Sequence, residues 1–208
     1  MKKILVLVVA LVFGMTAVAS AQSKEYKKTQ AKNEKVAKDL AKKKVKEFKK
    51  GKWESSGATD LETTLITYYL ETEPTCGGEK RGIEHTVSDA KTISMAEKRL
   101  LLDAQSSYAQ EVRTMLAQTL TGQDSATGSD ELNTYIGSVA AKSQNEFNGD
   151  VKRSFLIYRT NPDGKTLTVR AFYVIDEANG LARVKSLANQ AKQNAEIQKI
   201  IEKAAGGK

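Results

Sequence analysis

Residues 151–175 read VKRSFLIYRTNPDGKTLTVRAFYVI, and the architecture grows from this stretch. Val151 to Tyr158 and Leu167 to Ile175 are rich in β-branched and aromatic residues, which fit a pleated, half-buried surface. Between them, Thr160-Asn161-Pro162-Asp163-Gly164-Lys165 carries turn chemistry, because proline presets φ and glycine accepts positive φ. The two runs therefore form an antiparallel hairpin. Val151, Phe155 and Ile157 mark one apolar face and Val169, Ala171 and Tyr173 its counterpart, while Leu156, Phe172 and Val174 make the opposite face partly apolar. So apolar a hairpin needs cover, and helices are the natural source.

Upstream, Ser94-Met95-Ala96-Glu97 has the form of a capping box, in which hydroxyl and carboxylate each satisfy a free amide at a helix start. A long helix follows to about Leu120, with Leu101, Ala104, Tyr108, Val112, Met115 and Leu116 as its buried stripe. Gly122 to Gly128 reads as a flexible break, and Asp130 to Phe147 as a second helix carrying Leu132, Ile136, Val139 and Ala140. Glu177 to Ala204 is the last helix, with Leu181, Val184, Leu187, Ala188, Ala191 and Ala195 inward. Its small residues are expected to pack against the equally small Ala31, Ala37 and Ala41, and Gly206-Gly207-Lys208 to fray.

Earlier in the chain, Leu61, Leu65, Tyr68 and Tyr69 are spaced for a helix, whereas Thr63, Thr64, Ile66 and Thr67 are strand formers. Both readings stand, with helix ahead because Asp60 is placed to cap it. Pro74 to Gly82 is a loop, and Ile83 to Val87 a short strand. The predicted class is α+β, a long helix packed on a small antiparallel sheet, with added N-terminal and C-terminal helices.

The chain has 208 residues, two Pro and one Cys, enough to bury roughly 70% of its unfolded surface without a disulfide. Lys2-Lys3, the apolar run Ile4 to Met15 and the small-residue exit Ala19-Ser20-Ala21 have the form of a secretory signal peptide over 1–21. The apolar run falls short of the roughly 20 residues that a membrane-spanning helix needs. No Cys stands at the cleavage point, so a lipid anchor is not expected. The mature protein, starting at Gln22, is expected to be periplasmic or secreted, with no transmembrane anchor. It divides into a basic Lys/Ala-rich arm (22–52), an α+β domain (53–176) and a C-terminal helix with tail (177–208).

The net charge of +8 is concentrated in the arm. Lys24 to Lys52 holds 13 Lys against Glu25, Glu34, Asp39 and Glu47, a surplus of nine, and with Lys2 and Lys3 set aside the chain beyond Lys52 carries −3. Ala37, Ala41, Val45 and Phe48, with Val36 and Leu40 beside them, give the arm a thin apolar helical stripe. Lys27, Lys28, Lys35, Lys38, Lys42, Lys43, Lys44, Lys46, Lys49 and Lys50 are the candidate contacts for a polyanion. Nucleic acid is not the expected partner, because the arm has no Arg and only Tyr26 and Phe48 as aromatics. Expected partners are an envelope protein or an anionic envelope polymer, with self-association as an alternative. Trp53, the only tryptophan, is read as a packing anchor.

Catalytic patterns are sparse. His85 is the only imidazole, which excludes a multi-His metal site within one chain, and no catalytic, cofactor or metal residues are assigned. Cys76 with His85 would need an activated thiolate; Cys76 reads instead as an odd, semi-exposed thiol, buried, capped or paired between chains. The acidic pairs Asp60/Glu62 and Glu71/Glu73 read as solvated surface. Tyr68, Tyr69, Tyr158 and Tyr173 suit a binding face or a core edge. No glycine-rich phosphate loop, nucleophile elbow or H-E-x-x-H motif occurs.

The signal peptide, the Lys/Ala helix ending at Trp53, DLETTL, AKTISMAEKRLLLDAQSSYAQEVRTML and SFLIYRTNPDGKTLTVRAFY together resemble a group of secreted Bacteroidota proteins. More distantly they resemble the LPP20-like family, which includes envelope lipoproteins and the N-terminal domain of a flagellar assembly protein. The resemblance covers residues 35–180. It implies a helix laid over a small sheet and a role in envelope assembly or binding, with no catalytic residues to carry over. The chain departs from the lipoproteins in lacking a lipidated Cys. The expectation is a non-enzymatic envelope protein; a self-associating module and a hydrolase using acidic residues or Cys76 are the alternatives.

Overall fold

The structure is a computed structural model that describes residues 2–122 and 130–206, with side chains described over 25–122, 130–143 and 145–204. The expected break at 122–128 therefore lies outside the described residues after Gly122, as do the side chains of the signal segment and the last two residues of the tail. The elements are α1 (Lys2–Lys50), β1 (Glu54–Ser55), α2 (Leu61–Thr72), a 3-10 turn (Pro74–Cys76), β2 (Arg81–Ala90), α3 (Ile93–Thr121), α4 (Asp130–Lys142), α5 (Gln144–Asn148), β3 (Val151–Thr160), β4 (Leu167–Ile175), α6 (Glu177–Gln193) and α7 (Ala195–Gly206). The fold is α+β, and the sheet is wholly antiparallel in the order β1-β3-β4-β2.

The hairpin of β3 and β4 forms the centre of this sheet. Its turn is held by Asp163, whose carboxylate accepts from the Lys165 amide (2.9 Å), the Thr166 amide (3.0 Å) and the Thr166 hydroxyl (2.7 Å). Those donors hold the Asp163 carboxyl below its usual range, the Lys165 amide first among them. Gly164 takes the positive φ that the turn requires (64°). Asn161 then ties the turn to β2, donating to the Ser88 carbonyl at 2.6 Å.

Both faces of the sheet are covered. On one, Val151, Leu156, Val169, Ala171, Tyr173 and Ile175 pack beneath α3 together with residues of α4 to α7. On the other, Phe155, Ile157 and Phe172 pack against Ala41 and Phe48 of α1 and Leu65 of α2. The sequence reading placed Val151, Phe155 and Ile157 on one face. A bulge separates them: Arg153 lies opposite Tyr173 but Phe155 opposite Phe172, so the extra residue flips every later side chain across the sheet.

Four other expectations are corrected. The cap of α3 is Thr92, whose hydroxyl accepts from the Met95 amide at 3.2 Å, so Ser94 falls inside the first turn. Thr92 is extended (φ −142°, ψ 153°), a backbone that suits a β-branched residue. The α3 stripe is Ala96, Leu100, Ala104, Tyr108, Val112, Leu116, Ala117 and Leu120; with three consecutive leucines at 100–102 the phase is set by Ala96 and Tyr108, and Leu101 and Met115 are only half-buried. The helix expected over 130–147 breaks at Ser143. The last helix breaks at Asn194, whose side chain accepts from the Glu196 and Ile197 amides (3.0 and 3.3 Å) and so starts α7 as a new helix.

The packing of the termini also differs from expectation. Val184, Ala188 and Ala191 of α6 enter the core under α3, while Ala37 and Ala41 of α1 are buried on the opposite side, and Ala31 is exposed. The small residues of each helix fit the element beneath them, and the sheet stands between the two. The expected helix over Leu61–Tyr69 is α2, and Asp60 caps it, accepting from the Thr63 amide at 3.0 Å. The short strand expected over Ile83–Val87 is the longer β2, which takes in Arg81 and Gly82 from the predicted loop.

Candidate binding surface on the basic helix and the sheet end

Burial of Ala37, Ala41 and Phe48 fixes which way α1 faces. At roughly 100° per residue, Lys28, Lys32, Lys35, Lys42, Lys43, Lys46 and Lys50 fall within about 100° of arc on the opposite side, over roughly 33 Å of helix. All seven are exposed, and Asp39 is the acid that shares their arc. Lys32 was not in the sequence-based set; the helical phase adds it. Lys27, Lys38 and Lys49 are exposed along the flanks, with Lys38 3.9 Å from Glu34. Lys44 is turned inward, 5.3 Å from the Phe48 ring centroid and paired to Glu47 at 3.0 Å, so it contributes least to an outward field.

At its C-terminal end α1 leads into a second basic cluster. Lys52 adopts a positive φ of 55° and Trp53 donates its amide to the Phe48 carbonyl at 2.9 Å, which folds the indole back over the sheet. A β-carbon at Gly51 would sit 2.7 Å from Trp53 Cδ1, so any larger residue there would push the indole from this position. Arg159 of β3 and Arg170 of β4 place their guanidinium carbons 4.8 and 4.9 Å from the Trp53 ring centroid. Arg170 lies 3.6 Å from Glu84 Oε1, and its Nε is shielded from solvent without an acceptor. The sequence reading found Trp53 as a packing residue, which it is, but not its arginines. They lie 11 positions apart and meet only through the β3–β4 register.

The remaining candidates are absorbed by the fold. Cys76 is buried against α1 and its thiol is pushed up by that burial. It is not semi-exposed; it lines a cleft of about 420 Å³ together with Tyr26, Gln30, Asn33 and Glu79. His85 shares the α3 face of β2 with Ile83 and Val87, and its ring meets Tyr173 edge-on at 6.3 Å. The sheet therefore separates His85 from Cys76. Asp60 is a helix cap, Glu71 pairs with Lys80 at 3.3 Å and Glu73 accepts from the Thr75 hydroxyl.

The four tyrosines divide. Tyr173 is fully buried, with its hydroxyl pushed up to about 12 by desolvation. Tyr68 is likewise pushed up to about 12, and packs edge-on to Phe155 and Phe172 at 5.6 and 5.8 Å. Tyr69 sits edge-on to Tyr68, and Tyr158 donates to Glu54 at 2.9 Å.

Among the described residues no three His, Cys, Asp or Glu side chains are grouped to hold a metal ion. Among the described residues, no helix is long and apolar enough to cross a membrane. Against protein-family models, curated proteins and solved structures the chain finds no match.

Proposed function

We propose that the protein is a non-enzymatic binding or assembly protein of the cell envelope, exported by the signal segment 1–21 and held to an anionic envelope polymer by α1. The observation that carries this reading is the outward arc of seven exposed lysines, fixed in direction because the inner face of the same helix is packed on α2 and, through Phe48, on the sheet. Rigid presentation lowers the entropy lost when a polyanion binds, and the summed field attracts it from beyond contact distance. The LPP20-like resemblance belongs to the same reading and supplies the envelope setting. Ala37, Ala41 and Phe48 of α1 and Val184, Ala188 and Ala191 of α6 are buried within one chain, which favours a polymer over self-association through those residues.

Removing the arm is a poor test, because it would take Ala37, Ala41 and Phe48 out of the core. The better variant replaces Lys28, Lys32, Lys35, Lys42, Lys43, Lys46 and Lys50 with Gln, which keeps helix propensity. Cells expressing parent or variant are fractionated and the envelope is washed with rising salt. Release of the parent by salt, with loss of association in the variant, is expected, since the Debye length is only about 8 Å at physiological ionic strength. Equal partitioning of the two would refute the reading.

A further inference from the structure

We infer that Arg159, Arg170 and Trp53 form a binding site for a phosphate group, carried either by a soluble polymer or by a lipid headgroup. The inference rests on the proposed attraction of α1 for a polyanion, and adds the group that would be gripped. A guanidinium presents its N–H donors in a planar fork that matches phosphate oxygens, and on Arg170 the Nε is the one shielded from solvent. Among the described residues, neither Arg159 nor Arg170 donates a hydrogen bond to a protein acceptor. Elsewhere in the body Arg81, Arg153 and Arg183 each hold a carboxylate: Glu111 and Glu177, Glu97, and Asp150.

Two cations that share one indole stand within about 10 Å of each other, since each lies under 5 Å from the same ring centroid. Their repulsion is poorly offset by the protein. Glu84 reaches only Arg170, at 3.6 Å from a half-exposed carboxylate, and Glu54 accepts from the Tyr158 hydroxyl. An incoming group with several anionic oxygens satisfies both forks at once, which a single carboxylate does less well. The ring contact also restrains the guanidinium planes, so less rotamer freedom is lost on binding than at a free surface arginine.

Trp53 is the only tryptophan, so its emission reports this site alone. The full mature protein is titrated with inorganic pyrophosphate, and separately with phosphatidylcholine vesicles with and without phosphatidic acid. A saturable change in emission with pyrophosphate, or with the phosphatidic acid vesicles only, supports the site; the second result assigns the headgroup as the source. Arg159→Gln, an exposed position, is expected to weaken the midpoint at least about tenfold, and Arg170→Lys to weaken it with the thermal midpoint of the fold unchanged. No saturable change with either probe, or an unaltered midpoint in Arg159→Gln, overturns the inference. The seven-lysine variant separates the two readings: it is expected to lose envelope association while keeping the Trp53 response to pyrophosphate.

Discussion

Phe48→Ala tests whether the basic helix is part of the folded body or an appendage, on which the directionality of its lysines depends. Phe48 is 2% exposed and meets Phe172 edge-on at 6.0 Å, within the cluster that also holds Ala41, Leu65, Phe155 and Ile157. Truncating so fully buried a phenylalanine costs about 3–5 kcal/mol, of which the edge-to-face pair supplies roughly 1 kcal/mol. A chain of this size loses about 2–4 °C per kcal/mol, so the melting midpoint is expected to fall by about 6–20 °C. The assay is thermal denaturation followed in parallel by far-ultraviolet circular dichroism, which reads helix, and by Trp53 emission, which reads the sheet. The two curves should coincide, as they do when one cooperative unit melts. Tyr26→Ala, at an exposed position, serves as the control and should leave the midpoint within about 2 °C. A Phe48→Ala midpoint shifted by less than about 3 °C, or a helix signal lost well before Trp53 responds, would refute the coupling and leave the lysines on a detached arm.

Gly82 lies under Tyr68, and a β-carbon there would overlap the Tyr68 hydroxyl; Gly82→Ala is expected to cost about 1–3 kcal/mol in denaturant titrations, and combining it with Tyr68→Phe should recover part of the loss. Tyr68, Tyr108 and Tyr173 each have the hydroxyl pushed up to about 12 by burial. Folding therefore holds them neutral while the unfolded chain ionises near pH 10, so their contribution is complete below pH 10 and is lost on rising towards about 12. Stability should drop across that window, with tyrosinate absorbance rising together with unfolding; full ionisation of a still-folded protein at pH 11 would contradict it. Cys76 is buried with its thiol pushed up, so a thiol reagent should label it at least roughly 100-fold more slowly than the denatured chain; immediate labelling of the native protein would refute that placement.

Patterns that repeat along the chain were legible in advance, because periodicity and turn chemistry are local. The hairpin, its Asn161–Gly164 turn, the Asp60 cap and the run of α3 follow from residues close in sequence. Local rules leave a choice where several residues satisfy the same one. Ser94 and Thr92 both qualify as caps, and Leu100, Leu101 and Leu102 all qualify for the buried stripe; which one serves depends on what lies across the interface. The breaks at Ser143 and Asn194 are hidden in the sequence for a related reason. A polar residue in a helical pattern is tolerated on a solvated face, and only the need to bring Ile201 of α7 back into the core shows Asn194 acting as a new cap.

The candidate site divides along the same line. Lysine richness and the thin apolar stripe of α1 are written in the sequence, and with them the concentration of positive charge at one end of the chain. The direction of that charge is a tertiary property, because Ala41 and Phe48 face inward only once α2 and the sheet offer Leu65, Phe155, Ile157 and Phe172. The arginine pair is tertiary altogether. Arg159 and Arg170 share one indole because a bulge at Ser154 sets the register of β3 on β4 and a glycine turn carries Trp53 back over the sheet. A one-residue shift in either would send a side chain to the other face, and neither shift leaves a signature in the spacing of the residues themselves. Sequence alone thus determined the hairpin, the course of α2 and α3 and the sign of the charge; packing on the two sides of the sheet decided where the helices break, where that charge points and which groups meet.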